Sequence, residues 1–225
     1  MNGSRLAIRF FIARQPSEFE TILTLNKTKE NNFMKKPALF VTTAAIIAAL
    51  YVVLTLLISL IPGFANMAIQ VRVSEALTIL PLFTPAAIPG VFIGCLISNI
   101  LIGSVPMDII FGSLTTLVAA VITYCIGLAF KKMIRKADST GRKKGLGVTG
   151  TILGSLPPII GNMFVVPYVL IHAYGVEGSY WFFVLTVGIG ELISCMIIGL
   201  IVAFVMRRTG LDLKIGMDQA IILTA

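Results

Sequence analysis

The sequence predicts an all-α integral membrane protein: a six-transmembrane-helix bundle with N and C termini cytoplasmic. Three observations predict it. The 225 residues are 57% hydrophobic and 12% charged, about half the charged share of a soluble globular domain, roughly 25%. Charge is also segregated: residues 37–130 hold only Arg72, Glu75 and Asp108, and residues 145–206 only Glu177 and Glu191. Of the 18 Lys and Arg residues, seven precede Pro37, seven lie within 131–144 and three follow Met206. Runs this poor in charge exclude a soluble, disordered, fibrous or disulfide-stapled protein. The net charge of +8 then reads as the cytoplasmic Lys/Arg excess of membrane proteins, with no nucleic-acid partner.

A helix needs about 20 apolar residues to span the hydrocarbon core. The first run, 38–61, stops at the breaker pair Pro62-Gly63. Further spans are read at 87–103, 109–130, 148–171 and 180–206. The segment 71–83 is shorter, more polar and bounded by Pro81, Pro85 and Pro89. Charge bias decides its status. Lys35-Lys36 and the 131–144 loop share the cytoplasmic side only if an even number of crossings separates them, so 71–83 counts as a span. Outer connections follow at 62–72, 104–108 and 172–179, the first long enough to act as a lid.

Residues 1–33 fit no part of this pattern and hold no apolar run long enough for a signal peptide. Met34-Lys35-Lys36 before an apolar helix reads as a natural start. The division is therefore 1–33 as a non-native or disordered leader, 34–208 as the membrane domain and 209–225 as a cytoplasmic tail.

Several motifs have plain packing explanations. The Gly-x-Gly-x-x-Gly pattern at 145–150 follows a basic segment rather than a strand, so Gly147, Gly150 and Gly154 read as close helix contacts, not a dinucleotide site. No Gly-x-x-x-x-Gly-Lys-Ser/Thr occurs in these residues. Cys95, Cys125 and Cys195 sit singly in apolar runs, and neither metal nor cofactor is expected. The small-x-x-x-small pairs Ala44/Ala48 and Ala45/Ala49 form a stripe for close helix contact, either within the bundle or with a second membrane subunit.

Intramembrane ionisable groups are costly, so each is a site candidate. Arg72 and Glu75 share a helix face, as a mutual ion pair or as ligand contacts. Asp108 begins the fourth helix, as an N-terminal cap or a ligand contact. Glu191 lies eleven residues past Tyr180, about 16 Å from the outer end and near mid-membrane. Asn99 and Asn162 lie in the outer halves of their helices. Three carboxyls against one guanidinium make this outer cavity net negative, suited to a cation or a ligand rich in N–H donors. Trp181, with Tyr168, His172, Tyr174 and Tyr180, reads as an interfacial belt or as a stacking surface for a flat ring. No nucleophile–base arrangement is visible, so no enzyme is expected.

The segments 42–55 (TTAAIIAALYVVLT), 71–77 (VRVSEAL), 94–99 (GCLISN), 108–116 (DIIFGSLTT) and 187–192 (VGIGEL), in this order and spacing, resemble the queuosine-precursor transporter (QueT) family. These are substrate-binding S components of energy-coupling-factor (ECF) importers in the bacterial cytoplasmic membrane. The resemblance implies six helices and capture of a 7-deazaguanine, such as the 7-aminomethyl or 7-cyano form. It also implies docking through the first-helix alanine stripe onto a transmembrane coupling subunit, with two ATPase subunits driving release. On that basis Glu75 and Glu191 would accept the N1–H and N2–H edge and neutralise an aminomethyl charge. Asn99 would read O6 or N7, and Arg72 would hold Glu75 or contact O6. An S component for another vitamin, thiamin or riboflavin, is the alternative. For the leader, intact-mass measurement of the native protein is expected to show a chain beginning at Met34; a mass that includes Met1 overturns that reading.

Overall fold

A computed structural model describes residues 18–61 and 72–210, with side chains from residue 37 onward. The chain divides into two compact units, Met1–Leu39 and Phe40–Ala225. Of the first, the described part is helical from Glu18; most of the expected leader, the proposed 62–72 lid except Arg72, and the tail from 211 lie outside the described residues.

The described residues are helical and contain no strand. Helix α1 spans Glu18–Ser59, with Pro37 inside it. A 3-10 helix follows at Val73–Leu82, then α2 (Ala87–Leu101), α3 (Pro106–Arg135) and α4 (Thr140–His172). The last helix, α5 (Tyr180–Thr209), is π-helical over Leu192–Ile198. Four segments are long and apolar enough to cross a membrane: Pro37–Ser59, α3, α4 and α5. Away from their basic ends, many of their exposed positions are themselves apolar, including Ile110, Leu114 and Val118 on α3 and Ile197, Ile201 and Phe204 on α5. The buried positions include Glu75, Asn99, Asp108, Asn162 and Glu191. Apolar outside with polar groups enclosed is the distribution a lipid solvent imposes, and the protein is a multi-pass α-helical membrane protein.

Helices α3 and α4 reach further than the apolar runs. The basic stretch 131–144, expected as a loop, is helical except for residues 136–139. Lys and Arg are good helix formers, so the two helices extend past the hydrocarbon until Ser139 starts α4, its side chain accepting from Arg142 N at 3.3 Å. The segment expected at 71–83 is the 3-10 helix, and nine of its ten residues are buried. At 2.0 Å per residue it is about 20 Å long, so it covers in ten residues what an α-helix covers in about thirteen.

This 3-10 helix is the packing centre. Leu77 and Leu80 join Ile47, Tyr51, Val91, Cys95 and Ala120 in one apolar cluster, and Ile79, Leu82 and Phe83 join Ala203 in another. Helices α3 and α4 approach Leu82 through glycine: a Cβ at Gly127 would fall 2.7 Å from Leu82 O, and one at Gly154 would fall 2.7 Å from Leu82 Cδ1. Beyond Leu82, Lys131 Nζ donates to Phe83 O at 3.1 Å and the Arg207 guanidinium stacks 5.6 Å from the Phe83 ring. Arg207 also donates to Gly147 O at 2.9 Å and Thr151 Oγ1 at 2.7 Å. The glycines of the 145–150 pattern thus act in packing, Gly147 under Arg207 and Gly150 under Phe130.

Helix α4 carries Pro157, Pro158 and Pro167. Pro158 has no N–H, so the carbonyl four residues earlier loses its helical donor. That carbonyl is Gly154 O, and the fully buried Thr123 of α3 donates to it at 2.9 Å. A membrane interior offers no water to do this, so a hydroxyl from the neighbouring helix takes the place of the missing amide. Thr123→Val, near-isosteric but without the donor, is expected to destabilise the purified protein by about 1–3 kcal/mol, read as a lowered thermal midpoint in detergent.

Candidate functional site

The 3-10 helix brings Glu75 into the interior at 1% exposure, and the end of the α-helical part of α5 brings Glu191 there at 4%. Oxygens of these two carboxyls and the Cys195 thiol all lie within 4.8 Å of one another. Two buried carboxylates this close need donors, and the surrounding elements provide them. The Tyr51 hydroxyl of α1 donates to Glu75 Oε1. Asn162 of α4 donates through Nδ2 to Glu191 Oε1 at 3.0 Å, and Cys195 Sγ to Glu191 Oε2 at 3.2 Å. Thr78 donates to Glu75 O at 2.5 Å, and Cys195 also approaches that carbonyl at 3.6 Å. One oxygen, Glu75 Oε2, is buried and takes no hydrogen bond.

A second polar group forms between α2 and α3. A Cβ at Gly112 would lie 3.4 Å from Asp108 Oδ1 and 3.5 Å from Asn99 Nδ2, so these side chains meet above a residue that has none. Asn99 and Thr116 both turn a donor toward Cys95 Sγ, at 3.6 and 3.5 Å. Asp108 does not cap its helix; the N-cap is Val105, which makes no side-chain bond, and Pro106 fills the first turn. Instead Asp108 Oδ2 accepts from Tyr174 OH at 3.1 Å, and the same hydroxyl accepts from Val105 N at 3.3 Å. Cys95 packs in the apolar cluster that holds Tyr51, which joins the two groups.

Glu75 Oε1 is taken by Tyr51 and Oε2 takes nothing, so no Arg72–Glu75 hydrogen bond exists. Arg72 is the N-cap of the 3-10 helix, in extended backbone and without a side-chain cap bond.

Of the outer aromatics other than Tyr174, none makes a hydrogen bond to these acidic groups among the described residues. Trp181 is 67% exposed and meets Tyr180 edge-on at 5.5 Å. Tyr168 stacks on His172 at 4.2 Å, and both are exposed. Tyr174 OH reaches an acidic residue, Asp108. The alanine stripe also divides. Ala48 is buried, and the carbonyls of Ala44 and Ala48 would lie 2.9 and 3.1 Å from Cβ atoms placed at Gly90 and Gly94 of α2. Ala45 and Ala49 are exposed.

The donors Glu75, Glu191 and Cys195 are of the mixed oxygen and sulfur type that suits a borderline divalent ion. Both Glu191 oxygens and the thiol are already committed to hydrogen bonds, so closing on an ion would require the thiol to lose its proton. As it stands, the arrangement leaves one buried carboxylate oxygen without a partner beside a second carboxylate, an acceptor pair of the kind that suits an N–H or ammonium donor. The sequence reading missed Tyr51, Cys95 and Cys195. The cysteines carried a signal: Cys195 lies four residues after Glu191, and Cys95 four before Asn99, each on one helix face with its partner. Tyr51 carried only its hydroxyl, a polar atom deep in an apolar run.

The fold is that of a polytopic helical membrane protein, and it encloses an acidic, amide-lined constellation of buried polar side chains. The chain belongs to the QueT transporter family, whose family model matches residues 41–208. It is 44% identical over 89 residues to the queuosine precursor transporter QueT of Lactococcus lactis subsp. cremoris (strain MG1363). That match covers 38% of this chain and 50% of the relative, about half the relative's length. No solved structure matches the chain.

Proposed function

We propose that this chain is the substrate-binding membrane subunit of an ATP-driven importer for a queuosine precursor, a 7-deazaguanine. The observation that carries this reading is the pair Glu75 and Glu191, enclosed within one site, with Glu75 Oε2 buried and unpartnered. A guanine-type edge presents adjacent N–H donors, and the aminomethyl form adds a cation; two neighbouring carboxylates suit both features. Asn162 orients Glu191, while Asn99, Asp108 and Arg72 form the second, mixed-charge part of the site. The name of the Lactococcus relative and the family support the cargo.

In this reading 34–208 is the membrane domain and 209–225 a cytoplasmic tail, with 1–33 a leader outside it. The 3-10 helix and α2 complete six crossings with both termini cytoplasmic, in a bacterial cytoplasmic membrane. The chain does no chemistry itself. Two ATPase subunits act through a transmembrane coupling subunit, which docks on the exposed half of the α1 stripe, Ala45 and Ala49.

Glu191→Gln keeps the shape and removes the charge. Isothermal titration with 7-aminomethyl-7-deazaguanine is expected to show binding weakened at least about tenfold, the scale of a lost charged hydrogen bond; unchanged affinity removes Glu191 from the site, and tighter binding of thiamin or riboflavin reassigns the cargo. Ala49→Trp is expected to leave that titration unchanged while abolishing copurification with the coupling subunit. Retained assembly would move the docking surface elsewhere.

A further inference from the structure

We propose that Tyr51 is a positioning residue for ligand binding: it holds the Glu75 carboxyl so that Oε2 faces the ligand, and it ties that carboxyl to the seating of α1 on α2. The inference rests on Glu75 as a ligand contact. Tyr51 is 1% exposed, and its hydroxyl is the side-chain donor to Glu75 Oε1. A carboxylate held at one oxygen by a rigid phenol has its plane and its second oxygen set. That second oxygen is the one left without a partner. A buried acceptor without a donor is costly, and the cost is relieved when a bound donor arrives.

The phenol is itself held by backbone approach. A Cβ at Gly94 would fall 2.7 Å from Tyr51 Cβ and 3.0 Å from its Cγ, so the ring sits where it does because α2 carries no side chain there. One turn further along α1, Thr55 Oγ1 donates to Ser74 Oγ at 2.8 Å, immediately before Glu75. Helix α1 therefore grips the start of the 3-10 helix at two points, and only the Tyr51 bond reaches the ionisable group. Displacing α1 from α2 withdraws the phenol and frees Glu75 to rotate.

Binding of 7-aminomethyl-7-deazaguanine to the full purified chain tests this, using wild type, Tyr51→Phe, Glu75→Asp and the double variant. Tyr51→Phe is expected to weaken binding about tenfold. In the Glu75→Asp background the carboxyl is one methylene too short to meet the phenol, and adding Tyr51→Phe is expected to cost less than twofold. A phenol that merely fills space would cost the same factor in both backgrounds, and that result, or Tyr51→Phe binding within twofold of wild type, overturns the inference. Wild-type protein that fails to bind the 7-deazaguanine overturns the cargo reading, and this inference with it.

Discussion

Two carboxylates enclosed among apolar helices are the constraint on which the rest of the structure depends. A charged side chain at the centre of a membrane helix costs roughly 3 kcal/mol on insertion scales, and two within 4.8 Å of a common thiol add mutual repulsion. Lipid can neither hydrate nor screen them. The protein must therefore bring donors from several elements to one place, and it does: Tyr51 from α1, Asn162 from α4 and Cys195 from α5. What these donors leave open is one oxygen. An incompletely satisfied buried group lowers the stability of the empty protein, and a ligand carrying the missing donor gains that same free energy on binding.

The 3-10 helix makes the enclosure feasible. A helix bearing Ser74, Glu75 and Thr78 among apolar residues, and buried on nearly every side, can exist in a membrane only as an inner element. Its winding gives more length per residue, and it is narrow enough for α3 and α4 to close on it at Gly127 and Gly154. Its far end is fixed separately, by Lys131 on the Phe83 carbonyl and Arg207 on the Phe83 ring. The position of Glu75 is thus set from both ends of one short segment, and two basic residues, Lys131 and Arg207, take part in holding it.

What the amino-acid order revealed, and what it hid, follows from the range of each interaction. Charge-poor runs are long-window features, and they located the apolar helices and singled out Glu75, Asp108, Asn162 and Glu191 as groups lipid would not tolerate. Helix ends at Arg135 and Thr140 were hidden because hydropathy reports where lipid ends, whereas Lys and Arg continue a helix into water. The 3-10 winding was hidden because it arises from packing on every side, not from local propensity. Trp181 is exposed, and sequence proximity to an outer loop does not say whether a ring faces inward. Partners across helices, such as Tyr51 on Glu75, depend on tertiary approach, in this case on Gly94, which reads in isolation as one small residue among many.

Helix α1 presents one face to Glu75 and leaves another exposed. At 100° per residue, Ala49 and Tyr51 lie about 200° apart around the helix, so the exposed Ala45/Ala49 stripe stands behind the face that grips Glu75. A rigid helix cannot move one face without the other. If a membrane partner binds the outer stripe with a preferred tilt or rotation of α1, that preference is felt at Glu75, and linkage requires the effect to run equally in the other direction: occupancy of the site alters affinity for the partner by the same factor. Small residues suit the outer face because they let a partner approach without imposing its own rotamers, and a phenol suits the inner face because it transmits displacement without bending. The alanine stripe is divided accordingly, Ala44 and Ala48 against α2 and Ala45 and Ala49 outward.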